Sequence, residues 1–325
     1  MLMEKIRWGI LGCGNVTEVK SGPAFGKVPF SSVVAVMRRD GVRAADYAQR
    51  HGVGRWYDTA DALINDPEVN AVYIATPPGS HCELALKAAA AGKPCYVEKP
   101  MARNAAECRI MVDGFASAGL PLFVAYYRRG LPHFTEVKSM INSGRHGNLL
   151  DVRYQFSSGH QVDGIPDGWR YQPDISGGGL FWDLGSHALD LFDWWLGPLG
   201  CVEGHALKKS DASPVEDIVA MTAISGTGVS FTGDWSFISR DDIDRFELEF
   251  ENARVTGSVF GSMELRIETG GGKMEILSYP QPDNIQSGLI SNIVANLRTG
   301  SPALSTGETA SRTNAVIDIV AGGNR

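Results

Sequence analysis

The sequence predicts an α/β protein of two domains: an N-terminal doubly wound parallel sheet, then an α/β domain whose sheet is mostly antiparallel. Short runs rich in Val and Ile alternate with helical patterns over the first 125 residues, and β runs separated by turns dominate from about residue 148. The chain has 325 residues, 43% of them hydrophobic, which is enough for two ordinary cores. The predicted domains are residues 1–125 and 126–325.

The N-terminal β runs are apolar along their whole length, as is typical of a parallel sheet covered on both faces. Alternation of strands with helices favours right-handed crossovers and double winding. Glycines stand where two of the helices need a left-handed residue to end. The predicted strands are "IRWGILG" (6–12), "SVVAVM" (32–37), "NAVYIAT" (70–76), "PCYVE" (94–98) and "LPLFVAY" (120–126), and the predicted helices are 42–52, 80–92 and 104–119.

The second half of the chain has a different pattern. Polar and apolar residues alternate in "RFELEFE", which indicates an antiparallel sheet with one face less buried than the other. The predicted strands are 149–156, 217–225, 228–237, 244–251 and 253–259, and the predicted helices are 179–197, 284–300 and 306–323.

Composition excludes several classes of protein. The chain has 30 Lys and Arg against 37 Asp and Glu, without a basic run, so we expect no nucleic-acid partner. No apolar stretch reaches the roughly 18 residues of a membrane span, and the N-terminus lacks the layout of a secretion signal. The five cysteines are dispersed without a C-x-x-C pair, so neither a disulfide framework nor a metal site is indicated. We expect a reduced, soluble, cytoplasmic protein.

A glycine-rich turn, "GILGCGN", follows the first strand. Gly12 and Gly14 match the first two glycines of a dinucleotide-binding fingerprint, which allow a tight turn and close backbone approach to a pyrophosphate. Asn15 and Val16 would begin the helix whose N-terminus faces the phosphates. The third small position is Thr17 instead of Gly or Ala, which departs from the pattern.

The end of the second strand, "VVAVMRRDG", bears on cofactor choice. Arg38 stands where NAD-specific domains place an acid for the ribose hydroxyls, and Arg39 follows it. Because arginine accommodates a 2′-phosphate, this favours NADP over NAD. Asp40 could still bind a ribose, and a solvated basic turn is the alternative.

The third main strand ends in "ATPPGSH", at the edge of the sheet where ligands bind. Cofactor contacts are therefore expected from Thr76, Pro77 and Pro78. His81 is a further candidate for the cofactor, and a helix N-terminal contact without chemistry is its alternative.

A polar stripe crosses an otherwise apolar helix, "GGGLFWDLGSHALDLFDWW". Asp183, His187 and Asp190 have i, i+4, i+7 spacing, which places them on one helical face. Burying such a stripe is costly unless it has a purpose, so a functional role is favoured over a satisfied core histidine.

The fourth main strand ends in "EKP", and this completes an ordered set with "GCGN", "ATPP" and "GGG-L-F-W-D-L-G-S-H". Together these motifs resemble the Gfo/Idh/MocA family of NAD(P)-dependent oxidoreductases over nearly the whole chain. The resemblance implies a Rossmann domain followed by a domain with an open, mostly antiparallel sheet. It also implies a sugar, polyol or related small molecule as substrate.

The resemblance assigns roles to individual residues. Lys99 matches the family's catalytic lysine, with Glu98 and Pro100 completing the motif on the cofactor side, and Asp183 and His187 match the second domain's acid and histidine. Trp169 and Arg170 resemble a pair that contacts the nicotinamide end in some members. In "AYYRRG", Tyr127 stands where many members carry Asn, so Tyr127 and Arg128 are candidates for the substrate pocket. A cis bond before Pro100 is expected.

These groups suit the transfer of a hydride between a nicotinamide and a hydroxyl or carbonyl group. Histidine has an ordinary pKa that suits His187 to proton transfer, Asp183 would orient it, and Lys99 would stabilise alkoxide charge. A non-catalytic NADP-binding sensor would not need these three residues together. A glycosidase using bound NAD lacks support, and a hydrolase would need a G-x-S-x-G motif.

A homodimer or homotetramer is expected from the second domain, and the family resemblance also implies pairing through the open face of its sheet. Helices packed on one face of its sheet would leave the other face open, and Phe231, Trp235, Phe246 or Phe250 would lie exposed there. The alternative is that polar residues alternate outward and the protein is monomeric.

Overall fold

The computed structural model describes residues 2–159, 168–210 and 214–322. Backbone contacts divide the chain into two compact units. The first contains the chain through Gly130 together with Pro282–Ser311, and the second contains Leu131–Gln281 and the chain from Arg312 onward.

The sheet of the first unit is entirely parallel, as the sequence predicts. Six strands pair in the order β3-β2-β1-β4-β5-β6, with every neighbouring pair parallel. The strands are β1 (Ile6–Leu11), β2 (Ser31–Met37), β3 (Arg55–Tyr57), β4 (Ala71–Ile74), β5 (Cys95–Val97) and β6 (Leu122–Val124).

Helices cover both faces of this sheet, so the unit is doubly wound. On β4, Val72 and Ile74 belong to one hydrophobic core and Ala71 and Tyr73 to the other, because side chains alternate along a strand. The α-helices of the unit, numbered in chain order, are α1 (Asn15–Val19), α2 (Gly22–Lys27), α3 (Gly41–His51), α4 (Ala60–Ile64), α5 (His81–Ala90), α6 (Ala105–Ala118) and α10 (Ser287–Thr299), with 3-10 turns at Pro78–Ser80 and Tyr127–Gly130.

Helix α10 belongs to the first unit although it lies near the end of the chain. Its buried residues Leu289, Ile290 and Ile293 join the same core as Trp8 and Phe25. The sequence analysis predicted one continuous second domain over 126–325, whereas the structure assigns α10 to the first unit. The reason is that the apolar face of α10 completes the cover of the parallel sheet.

The second unit contains an eight-stranded sheet in the order β14-β13-β12-β11-β7-β10-β9-β8. Every neighbouring pair is antiparallel except β7 with β10, which is parallel. The strands are β7 (Leu149–Ser157), β8 (Leu199–Leu207), β9 (Ile218–Ser225), β10 (Ser230–Ser236), β11 (Ile243–Phe250), β12 (Ala253–Gly257), β13 (Glu264–Thr269) and β14 (Lys273–Ser278).

Aromatic residues pack between this sheet and its helices. Phe192 lies 4.8 Å from Phe231 between ring centroids, and Trp195 lies 5.2 Å from Phe246. The remaining α-helices of the described chain are α7 (Pro132–Ser143), α8 (Pro173–Ser176), α9 (Ser186–Leu196) and α11 (Gly307–Ala321). A 3-10 turn occupies Trp169–Tyr171.

The expectation of exposed aromatics on the open face is wrong. Phe231, Trp235, Phe246 and Phe250 are all at most 2% exposed. They lie on the covered face, and polar residues alternate outward, as Thr232 and Asp234 do on β10. The sequence shows the alternation but not which face the helices cover.

Several elements were not predicted. The sequence did not predict four strands, because exposed residues interrupt their apolar pattern; these are the short edge strand β3 and the strands β8, β13 and β14. Helix α7 was also missed. No helix in the described part of the chain is long and apolar enough to cross a bilayer.

Candidate active site

The turn after β1 has the geometry of a dinucleotide-binding loop. Gly12 has φ +89°, and a Cβ added there would lie 2.7 Å from Thr76 Cγ2, so this position accepts only glycine without strain. Gly14 differs: its backbone is extended at φ −152°, and the nearest atom to an added Cβ is 3.9 Å away. The space beside Gly14 is therefore open for a ligand.

Thr17, which departs from the fingerprint, has a structural role in the turn. Its hydroxyl oxygen accepts a hydrogen bond from the Gly14 backbone N–H at 2.9 Å, and it lies 2.8 Å from the Gly14 carbonyl. Thr17 is fully buried. The departure therefore caps helix α1, and the turn keeps its shape. Asn15 is exposed and Val16 half-buried in the first turn of this helix.

Arg38 lies against the glycine-rich turn. Its Nη1 donates to the Cys13 carbonyl at 3.3 Å, whereas Arg39 is exposed. The Asp40 carboxylate accepts from the Arg43 backbone N–H at 3.2 Å and so caps helix α3. Of the residues at this strand end, Arg38 is the one placed beside the turn, and Asp40 serves the helix.

The turn after β4 is tied to the turn after β5 through His81. Each of its ring nitrogens faces backbone carbonyls: Nε2 lies 2.7 Å from Thr76 O, and Nδ1 lies 3.1 Å from Pro100 O and 3.2 Å from Met101 O. The ring is fully buried, and burial lowers its pKa. These contacts favour the alternative weighed for His81, a contact at the N-terminus of helix α5 without chemistry, and this contact links the two turns. Thr76 is half-buried, Pro77 exposed and Pro78 buried.

The Glu-Lys-Pro motif begins directly after β5. The Glu98 backbone N–H donates to the Ile74 carbonyl at 2.8 Å, which fixes this residue at the carboxyl edge of the parallel sheet. Lys99 follows and is half-buried, and the Lys99–Pro100 peptide bond is cis, as expected. Lys99 therefore lies at the same edge as the Gly12 turn, because the carboxyl ends of parallel strands share one edge.

The partners of Glu98 are residues that the sequence analysis missed. The carboxylate accepts hydrogen bonds from the Tyr73 hydroxyl at 2.5 Å and from Gln286 Nε2 at 2.8 Å. Tyr73 was visible inside a predicted strand, but the pattern of an apolar strand does not mark it as polar machinery. Gln286 is 188 residues away in sequence, so no local signal could find it.

Tyr127 and Arg128 lie in the 3-10 turn at the end of the first stretch of this unit. The Arg128 guanidinium stands over the Tyr127 ring, 5.0 Å from its centroid. Arg128 is buried and Tyr127 half-buried, so of the two the tyrosine is the more accessible to a ligand.

In the second unit, the predicted polar stripe begins on a π-helical turn, Phe181–Gly185, that leads into α9. Such turns are rare in proteins overall, and those that occur are often found at functional sites. Asp183 is half-buried in this turn, and its Oδ2 accepts a hydrogen bond from Arg170 Nε at 2.8 Å. Arg170 also stacks over the Trp169 ring, 4.5 Å from its centroid. The structure thus brings Trp169, Arg170 and Asp183 together.

His187 and Asp190 lie on α9 and are buried, at 4% and 1% exposure. The His187 ring meets the Phe260 ring edge-on at a centroid distance of 6.0 Å. The predicted site residues therefore form two clusters, one along the carboxyl edge of the parallel sheet and one around the π-helical turn of the second unit.

Comparison with known proteins identifies the family of both halves of the chain. The family described as "Oxidoreductase family, NAD-binding Rossmann fold" matches residues 6–126, and the Gfo/Idh/MocA C-terminal domain matches residues 134–256. Oxidoreductase P35 of Formosa agariphila is 35% identical over 98% of this chain and 99% of that protein. Levoglucosan dehydrogenase of Pseudarthrobacter phenanthrenivorans is 32% identical over 62% of this chain and 53% of that protein.

The fold has close counterparts among solved structures. A levoglucosan dehydrogenase solved in complex with NADH and levoglucosan superposes with a TM-score of 0.87 at 20% identity, covering 98% of this chain and 96% of that chain. At this identity the likeness shows the fold alone.

The match to this family and to an oxidoreductase over nearly its whole length defines the protein as an oxidoreductase with a Rossmann domain for a nicotinamide cofactor. The chain belongs to the Gfo/Idh/MocA family.

Proposed function

We propose that the protein is a dehydrogenase or reductase that interconverts a hydroxyl and a carbonyl group of a sugar, polyol or related small molecule. The observation that carries the proposal is the placement of Lys99 directly after the anchored Glu98, at the sheet edge that also holds the Gly12 turn. The names of relatives such as levoglucosan dehydrogenase and 1,5-anhydro-D-fructose reductase support a carbohydrate-like substrate.

The cofactor residues of the proposal are those that border the open space beside Gly14. The extended backbone there allows a pyrophosphate to approach, and Arg38 supplies positive charge next to the turn. This charge favours NADP over NAD. When bound, the nicotinamide accepts or returns a hydride.

The chain's own residues handle the proton and the charge. In the oxidation direction His187 takes the hydroxyl proton, and Lys99 donates a hydrogen bond that stabilises the developing alkoxide. Asp183 orients the substrate or the histidine, with Arg170 holding its carboxylate. The same residues act in reverse during reduction.

The test is an assay of the purified protein with NADP⁺ and with NAD⁺ against sugars, polyols and deoxy-sugars, monitored by absorbance of the reduced nicotinamide. We expect turnover with at least one polyhydroxy substrate. Lys99→Ala and His187→Ala should lower kcat by roughly 10²- to 10⁴-fold. Lys87→Ala, at a side chain that is 40% exposed, and His205→Ala, at an exposed residue, change residues of the same types and are the matched controls.

Wild-type activity in Lys99→Ala or His187→Ala would overturn the assigned roles. Cofactor binding without turnover of any substrate would instead favour the sensor or regulator.

The predicted homodimer or homotetramer and the cytoplasmic location are further parts of the proposal. With the four aromatics buried, oligomerisation no longer rests on an apolar face and rests on the family resemblance alone. Light scattering that gives the mass of a single 35.0 kDa chain would contradict it.

A further inference from the structure

A buried hydrogen-bond network surrounds the carboxylate of Glu98, which is 8% exposed. Oε1 accepts from the Tyr73 hydroxyl at 2.5 Å and from Gln286 Nε2 at 2.8 Å, and Oε2 accepts from the Lys99 backbone N–H at 3.3 Å. Every one of these hydrogen bonds is accepted by the carboxylate. The set therefore suits the ionised form, which is costly to bury without such donors.

Gln286 is held in one orientation by a second tyrosine. Its Oε1 accepts from the Tyr96 hydroxyl at 2.8 Å, which leaves the amide N–H groups directed at Glu98. Gln286 is 1% exposed. The rings of Tyr73 and Tyr96 stack at 4.9 Å between centroids. Strand β4 therefore supports the tyrosine that donates to Glu98, and strand β5 supports the tyrosine that orients Gln286.

The protonation states around Glu98 agree with this geometry. Burial, reinforced by the charge of Glu98, raises the pKa of Tyr73 and of Tyr96 well above the ordinary range, so both remain neutral donors. His81, whose pKa burial lowers, also lies within the field of this carboxylate.

We propose that Tyr73 and Gln286 are positioning residues: by holding the Glu98 carboxylate in one place, they fix the backbone from which Lys99 extends. The inference rests on the proposed role of Lys99 in turnover. Neither residue needs to touch substrate or cofactor, because they act through Glu98.

Gln286→Glu tests this role through pH. A carboxyl group at position 286 would lie within hydrogen-bond distance of Glu98. Two carboxyl groups at so short a distance share one proton, and this raises the pKa at which the pair loses it. While the shared proton is present, it replaces the amide N–H. As pH rises through the raised pKa, the proton leaves and the carboxylates repel each other.

The variant should therefore have a kcat within roughly twofold of wild type at the acidic end, falling roughly 10- to 100-fold below it as pH rises. Its melting temperature should fall relative to wild type over the same range. Gln286→Met, which cannot donate, should lower kcat at every pH. Gln49→Glu makes the same change at an exposed position in the same unit and should follow the wild-type profile throughout.

The outcomes separate the two claims. A kcat profile of Gln286→Glu that parallels wild type, in protein shown to be folded by its unfolding curve, overturns the positioning role even if the melting temperature responds to pH. Absence of turnover by the wild-type protein defeats the proposed function. In that case the melting temperatures decide whether the network exists. If Gln286→Glu and Gln49→Glu have the same melting temperature at every pH, the network is overturned too. If the melting temperature of Gln286→Glu falls relative to Gln49→Glu as pH rises, the network is supported.

Discussion

Arg170 and Asp183 form an ion pair in which Arg170 Nε donates to Asp183 Oδ2 at 2.8 Å. The family resemblance implies a contact of this arginine with the nicotinamide end, and in the structure its guanidinium holds the acid of the π-helical turn. The pair is asymmetric in exposure, since the arginine side chain is 44% exposed and the aspartate 16%. Replacing the arginine therefore removes the ion pair and the stacking on Trp169 but leaves no buried cavity.

Arg170→Gln should lower kcat about tenfold, because Asp183 loses the donor that fixes its carboxylate. Cofactor affinity should stay within roughly twofold, and the stability cost should be about 1 kcal/mol or less for a pair this exposed. Steady-state kinetics and cofactor titration measure the two effects. Arg153→Gln removes an ion pair of the same 2.8 Å length to Asp151 on the sheet and is the control. A loss of cofactor affinity with unchanged kcat would instead support a contact with the nicotinamide.

Substitutions at the two glycines of the first turn should have separable effects. Gly12→Ala should destabilise the protein by about 1–2 kcal/mol, because φ +89° disfavours a side chain and the added Cβ would contact Thr76. Gly14→Ala should leave stability within about 0.5 kcal/mol, since its Cβ meets open space. It should nevertheless weaken cofactor binding roughly tenfold by blocking backbone approach.

Thermal unfolding and cofactor titration of both variants provide the check. Gly26→Ala in helix α2, where an added Cβ meets nothing within 4 Å, is the control and should gain about 0.5–1 kcal/mol. Full cofactor affinity in Gly14→Ala would show that the open space beside it is not the cofactor site.

The fold was predictable where one residue pattern decides it. Continuous apolar runs gave the parallel sheet, and alternation along "RFELEFE" gave a half-buried strand with Phe246, Leu248 and Phe250 inward. The pattern could not show which side of that sheet carries helices, so the same alternation led to the wrong exposed face. That choice depends on the packing of α9 against Phe231 and Phe246.

The site was predictable as residue types but not as partnerships. Glu98 and Lys99 stand in a local motif, yet the donors that hold Glu98 come from β4 and from the residue just before α10. Arg170 likewise could be singled out, but its contact with Asp183 requires two turns to meet in space. Motifs fix backbone positions, whereas side-chain partners follow from tertiary packing.

Arg38→Asp should shift cofactor preference from NADP toward NAD. The substitution replaces the cation next to the Cys13 carbonyl with an anion that repels a 2′-phosphate and accepts from ribose hydroxyls. We expect the NADP-to-NAD ratio of kcat/KM to fall by roughly 10- to 100-fold, the effect of losing a charge-assisted contact. Arg109→Asp on helix α6 makes the same change in net charge and should leave the ratio unchanged. An unaltered ratio in Arg38→Asp would mean that Arg38 is a solvated turn residue.

Glu18→Gln should lower stability in a pH-dependent manner. Arg50 donates to both carboxylate oxygens, at 2.7 and 2.9 Å, and this contact lowers the pKa of Glu18 from 4.5 to about 2. Because the folded-state pKa is depressed, the stabilisation is fully present above about 4.5 and is lost as pH falls toward about 2. Glu18 is 31% exposed, so solvent screening limits the effect to about 1 kcal/mol.

Thermal melts of wild type and Glu18→Gln should therefore differ by a few degrees near neutral pH, and the two curves should converge on acidification below about pH 4.5. Glu83→Gln is the matched control, because Glu83 pairs with Lys87 at 3.1 Å while 70% exposed. That substitution should change stability by less than about 0.5 kcal/mol at any pH. A constant difference between wild type and Glu18→Gln across the acidic range would show that the charge of Glu18 contributes nothing, and that any loss reflects packing alone.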